Sequence, residues 1–295
     1  MIEWQHHTVE LADGVTTRLS VAASVALPDN APLVLTAPAM GVAAKHYIGW
    51  CEQLAQQGMR VGVFDWRGHG HSSVRASRAI NFNYATLVEN DFVILVEAMV
   101  NRFPQGPLIL AGHSLGGQMA ALTSSALHEQ QHSIRPIGLL LIASCSVFYR
   151  SWPFPGRLGL LLFSQFTPVL ATVMGYFPGR RVGFAGREAR GVMRDWAFNT
   201  RSGTYRSYVN GKARHYDPLL REVTLPVMAI HFSDDIFAPL KAIQHLTNKL
   251  SSSTTQLETI TAQDLQTEVA DHYRWLSASN AVAERCAPWI KEIGV

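Results

Sequence analysis

The feature that most constrains the fold is a five-residue turn, Gly112-His113-Ser114-Leu115-Gly116. It follows the apolar run 108–111 and precedes a run of small residues, 117–127, that is typical of a helix. A strand that turns directly into a helix strains the backbone of the central residue, and the two glycines leave room for the crossing chains. The turn therefore pushes the side chain of Ser114 outward, as the G-x-S-x-G pattern of a nucleophilic serine requires.

The same turn offers a place to stabilise negative charge. The backbone N–H of Leu115 lies at the amino end of the predicted helix, where the helix dipole favours an anion. A serine hydroxyl is a poor nucleophile until an imidazole accepts its proton and a carboxylate orients that imidazole. We therefore expect an acidic residue and a histidine downstream, in that order.

Two downstream segments supply these groups. Residues 226–232 are typical of a buried strand, and they are followed by a loop that contains Asp234 and Asp235. His272 stands further along, before a final helical stretch. Position alone leaves both aspartates open as the acid, whereas His272 is favoured as the base because the next candidate, His245, lies inside a predicted helix.

The order of predicted elements indicates one large α/β core. The chain has 295 residues, of which 47% are hydrophobic. A predicted hairpin across Asp13-Gly14 is followed by short apolar strands that alternate with helices, which favours a mostly parallel sheet of about eight strands covered on both faces. The alternation stops between 148 and 217. We predict a core formed by residues 1–147 and 218–295, with a helical cap inserted over 148–217.

The predicted cap has an uneven charge. It holds eleven Lys and Arg residues against three acidic residues, a net charge of +8, whereas the rest of the chain carries −5. It is either a lid that attracts an anionic substrate or surface, or a solvated arginine-rich face. Its apolar stretch, 158–174, either lines a hydrophobic pocket or packs the cap itself. The net charge of the whole chain, +3, gives no signature of nucleic-acid binding.

Cysteine usage and the apolar segments favour a soluble cytoplasmic protein. The three cysteines are widely spaced and odd in number, which indicates buried thiols rather than a disulfide framework. The first 14 residues lack the basic and apolar regions of a signal peptide. Polar residues and a proline interrupt the stretch 158–174, so we expect no membrane span, which needs about 20 apolar residues.

Further motifs resemble those of the α/β-hydrolases, and more narrowly the serine aminopeptidase and monoacylglycerol-lipase branch. Pro38-Ala39-Met40-Gly41 stands where relatives have His-Gly-x-Gly before a tyrosine, here Tyr47. Residues 65–72, DWRGHGHS, match the D-x-R-G-x-G-x-S of that branch, and Pro288-Trp289-Ile290 also fits. With GYFPG at 175–179, the chain is similar to a group of bacterial predicted hydrolases. The resemblance covers nearly the whole chain and implies an α/β-hydrolase fold.

The resemblance also implies roles for individual residues. Relatives place the acid four residues before the proline that starts the next helix, so Pro239 favours Asp235 over Asp234. The backbone N–H groups of Met40 and Leu115 would form the oxyanion hole, even though Pro-Ala replaces His-Gly before Met40. The chain departs again at Asp271, where relatives have glycine, and in a longer loop over 260–272.

Three further residues lie in or beside the motifs. We expect Asp65 and Arg67 to hold the loops beside it. His113 either supports the turn, borders the pocket or packs in the core.

Together these features predict a serine hydrolase that cleaves a carboxylic ester, or a thioester or amide, through Ser114, Asp235 and His272. Its partner would be a small acyl substrate, with an anionic group if the basic cap is a lid, and no cofactor is expected. The alternatives are acyl transfer on the same triad and a non-catalytic binding protein. An H-E-x-x-H motif at 128–132 lies at the end of a predicted helix with no third ligand nearby, so we expect no metal site there.

Overall fold

The computed structural model describes residues 1–294, which form an eight-stranded sheet flanked by helices and a smaller inserted segment. The strands of the described residues are β1 (Ile2–Glu10), β2 (Thr16–Ser24), β3 (Leu33–Ala37), β4 (Arg60–Phe64), β5 (Leu108–His113), β6 (Gly138–Ile142), β7 (Phe177–Pro178), β8 (Arg187–Glu188), β9 (Arg206–Val209), β10 (Lys212–His215), β11 (Val227–Phe232) and β12 (Thr255–Ile260). The α-helices are α1 (Ile48–Gln56), α2 (Phe92–Arg102), α3 (Leu115–Glu129), α4 (Gly156–Met174), α5 (Gly179–Val182), α6 (Arg190–Ser202), α7 (Asp217–Arg221), α8 (Leu240–Thr247), α9 (Ala262–Leu265) and α10 (Ser279–Ile293).

The central sheet has the order β1-β2-β4-β3-β5-β6-β11-β12. The six strands from β4 to β12 pair in parallel, and β1 and β2 form an antiparallel hairpin that joins the sheet at the β4 edge. Strands β3 to β6 are buried along their whole length, because parallel strands are covered by helices on both faces. This arrangement confirms the predicted α/β-hydrolase fold and its mostly parallel sheet.

The parallel pairing brings distant parts of the chain to one edge of the sheet. The carboxyl ends of β5, β11 and β12 all lie at that edge, since parallel strands run in the same direction. The loops that follow these three strands carry Ser114, Asp235 and His272, respectively. The sheet topology thus explains how residues more than a hundred positions apart in sequence can share one site.

Helix α3 sits at the centre of the molecule. Every residue from 115 to 127 is buried, and most of these residues are Gly, Ala, Ser or Thr. Its small side chains permit close packing on β5 and β6 on one side and on the start of the α2 region on the other. The three cysteines are buried and free, as the sequence predicts.

One predicted helix has a different start. The sequence predicts a continuous helix over 84–103, but residues Thr86–Asp91 form a wider π-helical turn before α2 begins. The turn ends at Asp91, whose carboxylate accepts two hydrogen bonds from the guanidinium of Arg67 at 2.8 and 2.7 Å. Arg67 lies 24 residues from Asp91 in the sequence, so local periodicity carries no information about this contact.

Residues 148–217 form a separate cluster of elements between β6 and β11, hereafter the 148–217 segment. It contains α4, α5 and α6 and two small antiparallel sheets, β7-β8 and β9-β10. Several hydrogen bonds fasten it to residues 76–85 of the core. The buried carboxylate of Asp195 accepts from the backbone N–H of Tyr84 at 3.1 Å, and Arg187 Nε donates to the Ala76 carbonyl at 2.6 Å.

Helix α4 presents an apolar face to the outside of the molecule. Its exposed apolar side chains recur every three or four residues, namely Leu158, Leu162, Phe166, Val169 and Val173. The helix is continuous through Pro168, because the hydroxyl of Thr167 donates to the Ser164 carbonyl that the proline leaves without an N–H partner. By length and hydropathy alone this helix could span a membrane. One helix that meets these two criteria is weak evidence for a membrane span.

Candidate active site

The turn after β5 has the strained geometry that its sequence predicts. Ser114 has φ +55° and ψ −120°, a conformation that residues other than glycine rarely adopt. A Cβ atom at Gly116 would lie 1.9 Å from the Ala37 carbonyl oxygen, and one at Gly112 would lie 2.3 Å from the Gly116 carbonyl carbon. Both positions therefore require glycine. The side chain of Ser114 is partly exposed and lines a cavity.

His272 and Asp235 form a buried pair beside this serine. Nδ1 of His272 lies 2.7 Å from Oδ2 of Asp235, and the two side chains are 4% and 0% exposed. The other carboxylate oxygen, Oδ1, accepts hydrogen bonds from the backbone N–H groups of Phe237 and Ala238 at 2.8 and 2.9 Å. Asp235 is thus fixed at both oxygens, which holds the imidazole ring with Nε2 free for another partner.

Asp234 has a different set of contacts from its neighbour. Its Oδ2 atom accepts a hydrogen bond from the backbone N–H of Ala270 at 2.8 Å, and the backbone N–H of Asp234 donates to the Ala270 carbonyl at 3.0 Å. Asp271, where relatives have glycine, accepts from the backbone N–H groups of Tyr273 and Arg274. These bonds stabilise the longer loop on the amino-terminal side of His272, at Ala270, and on its carboxyl-terminal side, at Tyr273 and Arg274.

Ser114 and His272 line the same cavity, which has a volume of about 90 Å³. Within residues 1–294, the hydrogen bonds of the site do not include one between the serine hydroxyl and the imidazole. Such bonds are often long before a substrate binds and tighten in the reacting complex. The two groups therefore line one cavity without a hydrogen bond between them among the described residues.

The loop after β3 faces the serine from the other side. Met40 and Leu115 both line the cavity, and neither backbone N–H is used as a donor in the hydrogen bonds of the described chain. Gly41 has φ +74°, and a Cβ there would lie 2.2 Å from the Gly186 backbone nitrogen. Two free donors therefore flank the serine, and Gly41 lets the 148–217 segment approach the loop that carries one of them.

A buried network supports this loop where the His-Gly of relatives is replaced. The hydroxyl of Tyr47 accepts a hydrogen bond from the backbone N–H of Ala39 at 2.8 Å and lies 2.8 Å from Nδ1 of His113. The indole N–H of Trp66 donates to the Pro38 carbonyl, also at 2.8 Å. Trp275 Nε1 lies 3.5 Å from the second ring nitrogen of His113. Side chains of other parts of the core thus hold the backbone of Pro38 and Ala39, next to Met40.

His113 is a neutral neighbour of His272. Complete burial, together with the nearby His272, lowers the pKa of His113 well below its ordinary value of 6.5. The two rings are 4.8 Å apart between centroids. Because His113 stays uncharged at neutral pH, it does not oppose a positive charge that develops on His272.

Five residues of the 148–217 segment close the cavity above the serine, namely Trp152, Leu160, Phe184, Ala185 and Trp196. Most of the remaining lining is also apolar, and it contains no aspartate or glutamate side chain among the residues that the structure describes. The volume of about 90 Å³ is far below the 300 Å³ or more of typical small-molecule sites. A cavity of this volume has room for a small group but not for a long chain.

Asp65 and Arg67 hold the neighbouring loops, as the sequence predicts. The carboxylate of Asp65 accepts hydrogen bonds from the backbone N–H groups of Ala44 and His71 at 2.8 and 2.9 Å. The guanidinium of Arg67 is 5% exposed and pairs with both Asp91 and Asp13. These contacts join the β1-β2 hairpin, the loop after β4 and the start of α2 beside the site.

The histidines of the H-E-x-x-H motif do not face one another on a helix. Helix α3 ends at Glu129, so His132 lies outside it, and His132 Nε2 is 3.2 Å from Glu97. Among residues 1–294, no group of three or more histidine, cysteine, aspartate or glutamate side chains could hold a metal ion.

Sequence reasoning missed most of the cavity wall. Phe237 and Tyr273 pack against the ring of His272, with centroids 5.6 and 4.9 Å away. The only indication in the sequence that these two residues belong to the cavity wall is that they lie next to Asp235 and His272. Of the wall residues of the 148–217 segment, only Leu160 lies in the apolar stretch 158–174 for which the sequence offered a pocket lining as one of two interpretations. No motif or pattern in the sequence indicated the other four.

Comparisons with known proteins agree with this architecture. A family model described as serine aminopeptidase, S33, matches residues 28–263. Protein phosphatase methylesterase 1 of Bos taurus is 39% identical over 67 residues, which are 23% of this chain and only 17% of that relative.

Solved structures show the same fold across the whole chain. A thermostable carboxyl esterase from Bacillus coagulans, in complex with glycerol, has a TM-score of 0.67 at 15% identity and covers 99% of each chain. An esterase from Exiguobacterium antarcticum has a TM-score of 0.60 at 14% identity, covering 97% of this chain and 100% of that one. With the family model spanning most of the sequence, these findings establish that the chain belongs to the serine aminopeptidase S33 family and is an α/β-fold serine hydrolase.

Proposed function

We propose that this protein hydrolyses a carboxylic ester through a covalent acyl-enzyme, with Ser114 as nucleophile, His272 as base and Asp235 as the orienting acid. The observation that carries the proposal is the buried bond between His272 Nδ1 and Asp235 Oδ2, at 2.7 Å. It leaves Nε2 of the imidazole facing the cavity that Ser114 lines. A strained serine, an oriented imidazole and a fixed carboxylate are the three parts of a serine-hydrolase relay.

The reaction proceeds in two halves. Nε2 of His272 takes the proton of the Ser114 hydroxyl while the oxygen attacks the ester carbonyl, and the backbone N–H groups of Met40 and Leu115 stabilise the oxyanion. The imidazolium then gives its proton to the leaving alkoxide, and the acyl group remains on Ser114. In the second half His272 deprotonates water, which attacks the acyl-enzyme and releases the acid.

The cavity favours esters over peptides. An aminopeptidase must bind the protonated amino terminus of its substrate, and a carboxylate in the cavity would serve that purpose. The described lining residues include no carboxylate, and the nearby carboxylate of Asp235 is occupied by His272 and by two backbone N–H groups. Thioesters are compatible with the same apolar cavity, whereas amides need a stronger proton donor for the leaving amine.

Replacement of Ser114 tests the proposal. Ser114→Ala should abolish hydrolysis of p-nitrophenyl acetate and labelling by a fluorophosphonate probe. Ser233→Ala is the matched control, since Ser233 is an exposed serine in the loop beside Asp235 and should leave both signals unchanged. Labelling that survives in Ser114→Ala would refute the assignment.

Acyl transfer on the same triad is the alternative reaction. The two reactions differ only in whether water or another acceptor attacks the acyl-enzyme. Product analysis with an alcohol or thiol acceptor separates them: hydrolysis predicts free acid as the main product, and transfer predicts the new ester or thioester. A protein that is folded but inert to activated esters and to the probe would instead be a non-catalytic binding protein.

A further inference from the structure

A second and larger cavity lies next to the active-site cavity. Its volume is about 760 Å³, within the range of small-molecule sites. Residues of the loops around 41–46 and 65–75 form one side of it, and residues 176–187 of the 148–217 segment form the other. We call it the basic cleft, because its lining includes the cations Lys45, Arg75, Arg180, Arg181 and Arg187.

These five cations have no carboxylate partners. Within the described chain, none of them lies within 4.0 Å of an aspartate or glutamate oxygen, whereas other arginines such as Arg67 and Arg214 are paired. All five are exposed to solvent. Five unneutralised positive charges around one concavity give a potential that concentrates anions there.

The two carboxylates near the basic cleft are already occupied. Asp65 is 2% exposed and accepts hydrogen bonds from the backbone of Ala44 and from the backbone and ring of His71. Glu188 is 3% exposed and pairs with His69 at 3.2 Å while accepting from the Gly186 backbone N–H. The charges of these two carboxylates offset only part of the charge of the five cations, so the cleft keeps a positive excess.

Two of the guanidinium groups are held in place. Arg187 donates from Nε to the Ala76 carbonyl and stacks on the Tyr176 ring at 3.9 Å, which leaves its terminal nitrogens unused. Arg75 donates to three backbone carbonyls of its own loop, at Gly70, Ser72 and Val74. Fixed guanidinium groups lose little side-chain entropy when they bind an anion, and their planar geometry suits phosphate oxygens.

The basic cleft shares a wall with the active-site cavity. Gly41 and Gly186 line the cleft, and their backbones are in close contact. Their sequence neighbours Met40 and Ala185 line the cavity that holds Ser114. A ligand in the cleft would therefore lie close to the loop that carries the Met40 N–H.

We propose that the basic cleft binds the polyphosphate group of a small molecule, such as a nucleoside diphosphate. A single carboxylate or phosphate would leave most of the five cations unpaired, whereas a polyphosphate engages several of them at once. A nucleic acid needs an extended track of cations along its backbone, and this site is a bounded concavity. The site is separate from the triad and does not depend on its chemistry.

Calorimetry with pyrophosphate and with ADP tests the binding, using Ser114→Ala protein so that catalysis plays no part. Arg180→Ala/Arg181→Ala should weaken both affinities by about tenfold or more, because each lost guanidinium removes a charge-assisted hydrogen bond. Arg157→Ala/Arg201→Ala removes the same charge from exposed positions of the same segment outside the cleft, and should weaken them far less. Equal losses in both double variants, or no binding to the parent protein at millimolar probe, would overturn the proposal.

A second arm identifies the source of the polyphosphate and rests on the proposed function. Acetyl-coenzyme A and S-acetyl-N-acetylcysteamine carry the same thioester, but only the first carries a diphosphate. If the cleft holds a handle of the substrate, Arg180→Ala/Arg181→Ala raises KM for the coenzyme A thioester alone. If it holds a separate effector, pyrophosphate alters the rate on the neutral thioester in the parent protein and not in the double variant. Either result supports the site, and inactivity on both thioesters leaves the calorimetric result to decide it.

Discussion

At the scale of single residues, the site depends on a few positions where only one side chain fits. Gly116 must be glycine because the Ala37 carbonyl occupies the space of a Cβ, and Ser114 is held at positive φ by the strand and the helix that it joins. Asp235 is the fixed partner of His272, whereas its neighbour Asp234 ties down the loop that carries that histidine. Adjacent aspartates therefore have separable roles.

Exchange of each aspartate for asparagine tests this separation. Asp235→Asn should lower kcat for p-nitrophenyl acetate by about 10⁴-fold, since an amide disfavours the tautomer of His272 that leaves Nε2 free as acceptor. Asp234→Asn should lower kcat by less than about tenfold, because it weakens only a loop contact. Steady-state kinetics on both variants measures the difference, and comparable losses in kcat would contradict it.

At the scale of elements, the 148–217 segment forms part of the wall around the serine. Its residues close the cavity to about 90 Å³, and hydrogen bonds anchor it to residues 76–85 of the core. The segment is also held by the buried pair between His69 and Glu188. We propose that this segment is a cap, as the sequence analysis predicts, and that the size of the acyl group depends on its inner wall.

The inner wall can be tested with two leucines of α4. Leu160 lines the cavity, whereas Leu158 is 45% exposed and does not. Leu160→Ala should raise kcat/KM for p-nitrophenyl octanoate relative to the acetate by about tenfold, because it makes room for several buried methylene groups. Leu158→Ala should leave that ratio unchanged. A ratio that rises equally in both variants would mean that movement of the segment, and not the wall, sets the chain length.

The His69–Glu188 pair makes the hold on the segment dependent on pH. Burial by itself would lower the pKa of His69. The charge of Glu188 and its hydrogen bond have the larger, opposite effect, so the pKa of His69 is raised above its ordinary 6.5. Burial raises the pKa of Glu188, but His69 and the Gly186 N–H outweigh it, so that pKa falls below 4.5. The histidine's stabilisation is therefore complete below pH 6.5 and lost as pH rises through the raised pKa. The glutamate's stabilisation is present above pH 4.5 and lost as pH falls through the lowered pKa.

We expect the pair to stabilise the protein most between about pH 4.5 and 6.5. The free energy of unfolding of the parent protein should exceed that of His69→Gln in this window, and the difference should shrink as pH rises further. Denaturant titrations at a series of pH values measure it. The double variant His69→Gln/Glu188→Gln is the control and should lose this pH dependence, and a difference that grows with pH would contradict the assignment.

At the scale of the whole molecule, charge is divided between two parts. The 148–217 segment carries a net charge of +8 and the remainder carries −5. The sequence leaves open whether this excess meets an anion or only solvent. Part of this positive charge lies in the basic cleft, between the segment and the core.

This division predicts a salt effect that depends on the charge of the substrate. Raising the ionic strength from about 0.01 M to 0.15 M shortens the Debye length from about 30 Å to 8 Å. The kcat/KM for an anionic ester, p-nitrophenyl hemisuccinate, should therefore fall, whereas that for neutral p-nitrophenyl butyrate should stay nearly constant. Parallel rate measurements at both ionic strengths check this, and an equal fall for the two esters would point to a change in the protein instead.

The sequence by itself determined the turn, the fold class and the chain order of the candidate triad. These follow from local constraints: Ser114 needs glycines two residues away, and apolar runs broken by helical stretches favour a parallel sheet. The choice of Asp235 over Asp234 came from the resemblance to α/β-hydrolases and from no local rule.

Only the tertiary structure decided the rest. The support of Ala39 by Tyr47 and His113, the wall at Leu160 and the pairing of His69 with Glu188 join residues far apart in the chain, in the last case 119 positions apart. The basic cleft likewise brings Arg75 of the core beside Arg180 and Arg187 of the segment. Such contacts follow from how packed elements meet, and a pattern along one stretch of sequence carries no information about which distant face it will meet.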